Sequence, residues 1–200
     1  MSYNPRVINT FIIQKIDYTG TRETLYSYDN RGNISTITDP KGKITYLNYD
    51  IMDRVTSINY PNNTTEEFSY DNNSNLLQRV VPTPANHDFA YNGTDNKTNY
   101  TSPLNKSTTY TYDKNKRVTA ITRPSGATIT NSYDKGRLIA TTTPDGTVEY
   151  NYLFANKVGS ITSGSESFAY SYDGTLLTSM TQSGVLNHTT LFNYNNDFQK

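Results

Sequence analysis

The sequence predicts an all-β protein built as a continuous antiparallel sheet of β-hairpin repeats, a strip that curls into a curved wall. Three observations predict it. Tyrosine anchors recur at Tyr28, Tyr49, Tyr70, Tyr91, Tyr112 and Tyr133 in steps of 21 residues, and Tyr152, Tyr172 and Tyr194 follow at 19, 20 and 22. Prolines keep the same rhythm in their own register, at Pro40, Pro61, Pro82, Pro103 and Pro124, then at Pro144 after 20. The 31 Thr and 24 Asn residues of the 200-residue chain favour strands and turns, and no segment carries an apolar helical stripe.

Each repeat reads as strand, turn, strand, turn. The residues leading to the anchor alternate with period two, so that Tyr26 and Tyr28, Leu47 and Tyr49, Phe68 and Tyr70, or Phe89 and Tyr91 share one face. A short polar turn follows, with Gly32, Asp53, Ser74, Asp95, Lys116 and Asn156 four residues past the tyrosine, where a hairpin loop needs a positive φ. Lys116 is the poorest fit of the six. The residue directly after the anchor is Asp29, Asp50, Asp71, Asp113, Asp134 or Asp173, and its carboxylate is expected to cap the turn by accepting from backbone N–H groups.

The second strand is β-branched, as in Ile34 and Ile37, Val55 and Ile58, or Val118 and Ile121. It ends in turns such as Asp39-Pro40-Lys41-Gly42 and Arg123-Pro124-Ser125-Gly126, where proline presets φ and glycine takes the left-handed region. Successive anchors then lie two strands apart, about 9.6 Å, with an aliphatic residue between them, forming a structural aromatic ladder. The turns at Tyr91 and Tyr152 are expected to be the least regular, because Asn92 and Leu153 replace the aspartate.

Composition limits the chemistry. With 18 basic and 18 acidic residues the formal charge is zero, so neither nucleic acid nor a membrane surface is an expected partner. There is no cysteine, and His87 and His188 are the only histidines, which leaves almost no material for a metal centre or a catalytic triad. The start of the chain has neither the basic nor the apolar region of a signal peptide. Glu66 and Glu67 are adjacent strand residues that point to opposite faces, and both are read as solvated. Asn-x-Ser/Thr sequons, among them Asn33, Asn63 and Asn92, are chance products of the composition. No catalytic residue, cofactor or metal is expected.

Tyr-Asp anchors, Asp53-Arg54 in a turn, an aliphatic run, and a Pro-Asp-Gly turn at Thr143 to Gly146 resemble the YD repeats of bacterial Rhs proteins, which are related to Tc-toxin C components and teneurins. The resemblance covers about residues 15–200, with residues 1–14 as a lead-in, and implies about eight units. It also implies a spiralling sheet that closes into a hollow shell around a toxic C-terminal cargo. The chain would then be a non-enzymatic piece of wall, truncated at Asn196 to Lys200 inside a turn. Its partners would be the remainder of the shell and the enclosed toxin, with self-association through exposed sheet edges. The parent would be secreted or delivered by a bacterial toxin or secretion system. The alternative is a carbohydrate-binding hairpin array, against which the absence of Trp counts.

Overall fold

The structure, a computed structural model, describes residues 10–17, 20–83 and 85–195. It is all-β, and it divides into two compact units, the first ending at Lys106 and the second beginning at Ser107. The expected truncation at residues 196–200 and the first nine residues of the expected lead-in lie outside the described residues.

In the first unit the strands are β1 (Thr10–Asp17), β2 (Gly20–Tyr28), β3 (Ile34–Thr38), β4 (Ile44–Tyr49), β5 (Val55–Asn59), β6 (Thr65–Tyr70), β7 (Leu76–Val81), β8 (Ala85–Tyr91) and β9 (Lys97–Thr101). Each pairs antiparallel with the next, from β1–β2 through β8–β9. The second unit contains β10 (Ser107–Tyr112), β11 (Val118–Thr122), β12 (Thr128–Asp134), β13 (Arg137–Thr143), β14 (Gly146–Tyr152), β15 (Val158–Ser163), β16 (Glu166–Asp173), β17 (Leu176–Ser183) and β18 (His188–Leu191), again paired in chain order. Sequence neighbours are thus spatial neighbours throughout each unit, which keeps every long-range contact inexpensive in loop entropy.

Strands that begin at an anchor's turn all carry a bulge. The register shifts just before the tyrosine, between Ser27 and Tyr28, Asn48 and Tyr49, Ser69 and Tyr70, and Ala90 and Tyr91 in the first unit, and likewise before Tyr112, Tyr133, Tyr152 and Tyr172 in the second. The surplus residue lies on the partner strand, and the two apolar aliphatic ones, Leu77 and Ile139, are exposed. All six residues four past the anchors take positive φ, from 61° at Asn156 to 92° at Gly32, and Lys116 does so at 63°.

Within each unit both rims of the sheet reuse one loop. The N–H of its first residue donates to the carbonyl four residues on, and the N–H three residues on donates back, as in Asp29 with Asn33 and Gly32, or Asp39 with Lys43 and Gly42. In the second unit four connections are tighter two-residue turns, at Lys135-Gly136, Pro144-Asp145, Gly164-Ser165 and Gly174-Thr175. Two of them fall between Tyr133 and Tyr152, where the period drops to 19.

Among the described residues no hydrophobic side chain is fully buried, and Glu66 is the single buried polar one. The described residues of neither unit form a central core. Apolar groups are half-covered by the hairpins on either side, so stability accumulates between neighbours as it does in a repeat array.

Candidate functional site

The chemistry of the chain is concentrated along the anchor rim. Ladder pairing between β3 and β4 stops at Thr36 and Tyr46, leaving the Ile34 carbonyl without a ladder donor. The Tyr49 hydroxyl takes its place, donating to that oxygen at 2.9 Å. The same bond recurs from Tyr133 to the Val118 carbonyl at 3.0 Å, Tyr152 to Leu138 at 2.9 Å, Tyr172 to Val158 at 3.1 Å and Tyr194 to Leu177 at 2.9 Å. Each acceptor residue in turn sits opposite the preceding anchor, as Ile34 does with Tyr28, Val118 with Tyr112, and Leu138 with Tyr133. From Tyr112 to Tyr194 this gives an unbroken series of ring, aliphatic and ring. Half-burial raises the hydroxyl pKa at Tyr49, Tyr70, Tyr91 and Tyr112, keeping these hydroxyls protonated and able to donate.

Next to the ladder runs a polar ridge. Oδ1 of Asp29, Asp50, Asp71 and Asp113 accepts from the backbone N–H two residues on and from the one four residues on, at 2.8–3.1 Å. Oδ2 accepts from a side chain, Asn33 at Asp29, Arg54 at Asp50, Asn75 at Asp71 and Arg117 at Asp113. All four carboxyls are held below the usual aspartate range. The largest cause is the Asn33 backbone N–H for Asp29, and the side chains of Arg54, Asn75 and Arg117 for the other three.

These side chains also reach the next hairpin. Asn33 donates to Asp53, and Asn75 to Asp95. Arg54 donates to the Asp71 carbonyl at 2.7 Å and lies 4.7 Å from the Tyr70 ring centre, while Arg117 lies 4.3 Å from the ring of Tyr133 and Lys157 4.9 Å from that of Tyr172. Arg117 Nη1 has no hydrogen-bond partner, because the loop that offers the Asp71 carbonyl to Arg54 is replaced after Tyr133 by the two-residue turn.

Asp134 and Asp173 depart from the expected turn-capping role. They are the last residues of β12 and β16, paired with Arg137 and Leu176 across two-residue turns, and too few loop residues remain for the cap. The turn at Tyr91 corrects another expectation. It is as regular as its neighbours, since Asn92 Oδ1 accepts from the N–H groups of Thr94 and Asn96 just as an aspartate oxygen does. The turn at Tyr152 does lose its side-chain cap, and Phe154–Asn156 form a single 3-10 turn there.

Glu66 is not solvated. It is 5% exposed, accepts from the Tyr60 hydroxyl at 2.8 Å and pairs with Arg79, whereas Glu67 on the opposite face is exposed. Burial raises its pKa, but the Arg79 and Tyr60 bonds outweigh burial and bring it below the usual glutamate range. On the same face, His87 sits opposite Arg79, and its ring stacks on Tyr100 with Nδ1 2.8 Å from the hydroxyl. His188 is exposed on β18. Among the described residues no three His, Asp or Glu side chains gather as a metal site would require.

A family model described as teneurin YD-shell matches residues 13–200. The chain belongs to that family. No curated protein matches it. Of solved structures, the YD-shell chain is similar to one titled as the crystal structure of TcdB2-TccC3-Cdc42, with 20% identity over 88% of its length and a TM-score of 0.55. It is also similar to TcdB2-TccC3 without hypervariable C-terminal region, at 21% identity, 88% coverage and a TM-score of 0.54. The Tc holotoxin pore of Photorhabdus luminescens, with the mutation TccC3-D651A, matches at 18%, 86% and 0.53. The YD-shell chain spans 10% of each of those chains, so the likeness is one of fold.

Proposed function

We propose that this YD-shell segment serves mechanically, as part of a wall enclosing a toxin or effector polypeptide until delivery from the producing cell. The observation that carries the reading is the series of hydroxyl-to-carbonyl bonds joining one hairpin to the next. Where the described residues bury no hydrophobic side chain, such bonds and the polar ridge supply lateral continuity, which a container needs and a catalyst does not. In this reading the nine anchor tyrosines hold the wall together. Asp29, Asp50, Asp71 and Asp113 keep its turns narrow enough for neighbours to touch. The remaining shell and the enclosed chain are the partners, and no catalytic group, cofactor or metal takes part.

Protease protection in the full-length parent protein tests this. The enclosed polypeptide is expected to survive a protease that degrades it once released, and Asp50→Ala combined with Arg54→Ala is expected to admit the protease. Equal cleavage of enclosed and released polypeptide would refute the reading. In the carbohydrate alternative, ligand rings must be exposed. Tyr46, at 49%, and Phe154, at 80%, are such rings, and a glycan array that retains a saccharide through Tyr46 would favour that alternative.

A further inference from the structure

The Tyr91 turn differs from its siblings in two ways that belong together. Its cap is Asn92 where the capped turns after Tyr28, Tyr49, Tyr70 and Tyr112 carry aspartate, and Asn92 precedes Gly93, the sequence's only Asn-Gly pair. Nothing in the backbone explains that glycine. Gly32, Gly42, Gly126 and Gly136 all have positive φ, and a Cβ on Gly159 would press on Leu153; Gly93 has neither a positive φ nor, its two chain neighbours apart, any atom within 4 Å of where a Cβ would stand. What glycine does provide is an unhindered backbone nitrogen beside the asparagine side chain.

We propose that Asn92 is a site of spontaneous conversion to aspartate, which completes the cap that the turns after Tyr28, Tyr49, Tyr70 and Tyr112 already have. The Gly93 nitrogen gives up its proton to solvent base and bonds to Cγ of Asn92. The amide group leaves as ammonia and a five-membered succinimide closes. Water then opens the ring at the Cγ–N bond, giving aspartate and restoring the Gly93 N–H. Opening at the other carbonyl gives isoaspartate. One water is consumed, one ammonia is released and nothing is oxidised.

The fold favours both the closing and the product. Asn92 Oδ1 accepts three hydrogen bonds, from the N–H groups of Thr94 and Asn96 at 3.0 Å each and from the Thr94 hydroxyl at 2.9 Å. Such donors polarise Cγ and stabilise the oxyanion that forms on attack. In the sibling turns Oδ2 of the aspartate accepts from the side chain four residues on, as Asp71 does from Asn75 at 2.9 Å. The Asn92 amide nitrogen cannot accept, and Asn96 instead donates to Thr94 Oγ1 at 2.9 Å. A carboxylate at residue 92 recovers the sibling bond. Isoaspartate, with an extra carbon in the main chain, loses the cap.

The chain is incubated at mildly alkaline pH and physiological temperature, and peptide mapping by mass spectrometry separates aspartate from isoaspartate. Asn92 is expected to convert about tenfold faster than Asn30, Asn62, Asn73 or Asn115, and Gly93→Ala to slow it by about tenfold with the circular dichroism spectrum unchanged. The folded chain is expected to give more aspartate relative to isoaspartate than the urea-unfolded chain, and Asn92→Asp to raise the melting temperature. Conversion at Asn92 no faster than at the other turn asparagines, the same product ratio folded and unfolded, or a lowered melting temperature in Asn92→Asp would overturn the proposal.

Discussion

Replacing Tyr133, Tyr152, Tyr172 and Tyr194 together by phenylalanine removes four hydroxyls and leaves every ring in place. Each hydroxyl donates to a carbonyl at 2.9–3.1 Å that the strand ladder leaves unpaired, and each such bond is worth about 0.5–1.5 kcal/mol net. The acceptor residues are half-buried and the Val118 carbonyl keeps a second donor in Asn131 Nδ2, so the lost donors are partly replaced and the lower half of that range is the better guide. Adjacent anchors are about 9.6 Å apart, near the distance at which mutational effects become independent, so the quadruple variant is expected to lose about 2–4 kcal/mol. Tyr46→Phe is the control, since that ring is exposed and outside the ladder; it should change stability by less than about 0.5 kcal/mol. Urea unfolding followed by tyrosine fluorescence and far-ultraviolet circular dichroism reads the difference. A quadruple variant as stable as the parent chain, or a Tyr46→Phe variant equally destabilised, would refute the assignment of lateral cohesion to these hydroxyls.

Further perturbations test the ridge and the buried carboxylate. Arg54→Ala removes the Asp50 pair, the bond to the Asp71 carbonyl and the stacking on Tyr70, and is expected to cost about 1–2 kcal/mol in urea unfolding, against less than about 0.5 for the more exposed Arg31→Ala. Glu66→Ala leaves Tyr60 and Arg79 without their acceptor and should cost about 2–3 kcal/mol, whereas Glu67→Ala should be close to neutral by the same assay. The capping aspartates, with Asp39, titrate below their ordinary 3.8 in the folded chain. Their stabilisation is therefore complete above that value and lost as pH falls through and below it. A melting temperature that is flat from neutral pH to about 5 and falls below about 4 is expected; a fall that is complete by pH 5 would contradict the capping account.

The repeat was legible because tyrosine, proline and positive-φ residues each mark it separately, and agreement among them outweighs any local propensity. Lys116 shows how strong that constraint is: it accepts a left-handed backbone that its side chain does not favour, because the loop closed by Asp113 and Arg117 dictates it. The tyrosine-aspartate pair alone points to a cap at Asp134 and Asp173, but the glycine that follows decides the turn. Gly136 and Gly174 come too early for the longer loop, and that spacing was visible in the sequence. Asn92 keeps its turn regular since the cap needs an acceptor oxygen, which asparagine also has. Glu66 could not have been found in this way. Alternation separates it from Glu67, but its partners Tyr60 and Arg79 lie 6 and 13 residues away, and only the strand register brings them together. The hydroxyl-to-carbonyl bonds were hidden for a related reason, because they depend on where ladder pairing stops.

Nuclear magnetic resonance of the chain in solution tests lateral bracing most directly, through contacts between each anchor ring and the aliphatic residue of the preceding hairpin. The account predicts close-range signals from Tyr49 to Ile34, Tyr133 to Val118, Tyr152 to Leu138, Tyr172 to Val158 and Tyr194 to Leu177, with hydroxyl protons protected from solvent exchange. Rings that touch only their own hairpin, with hydroxyls exchanging freely, would contradict it.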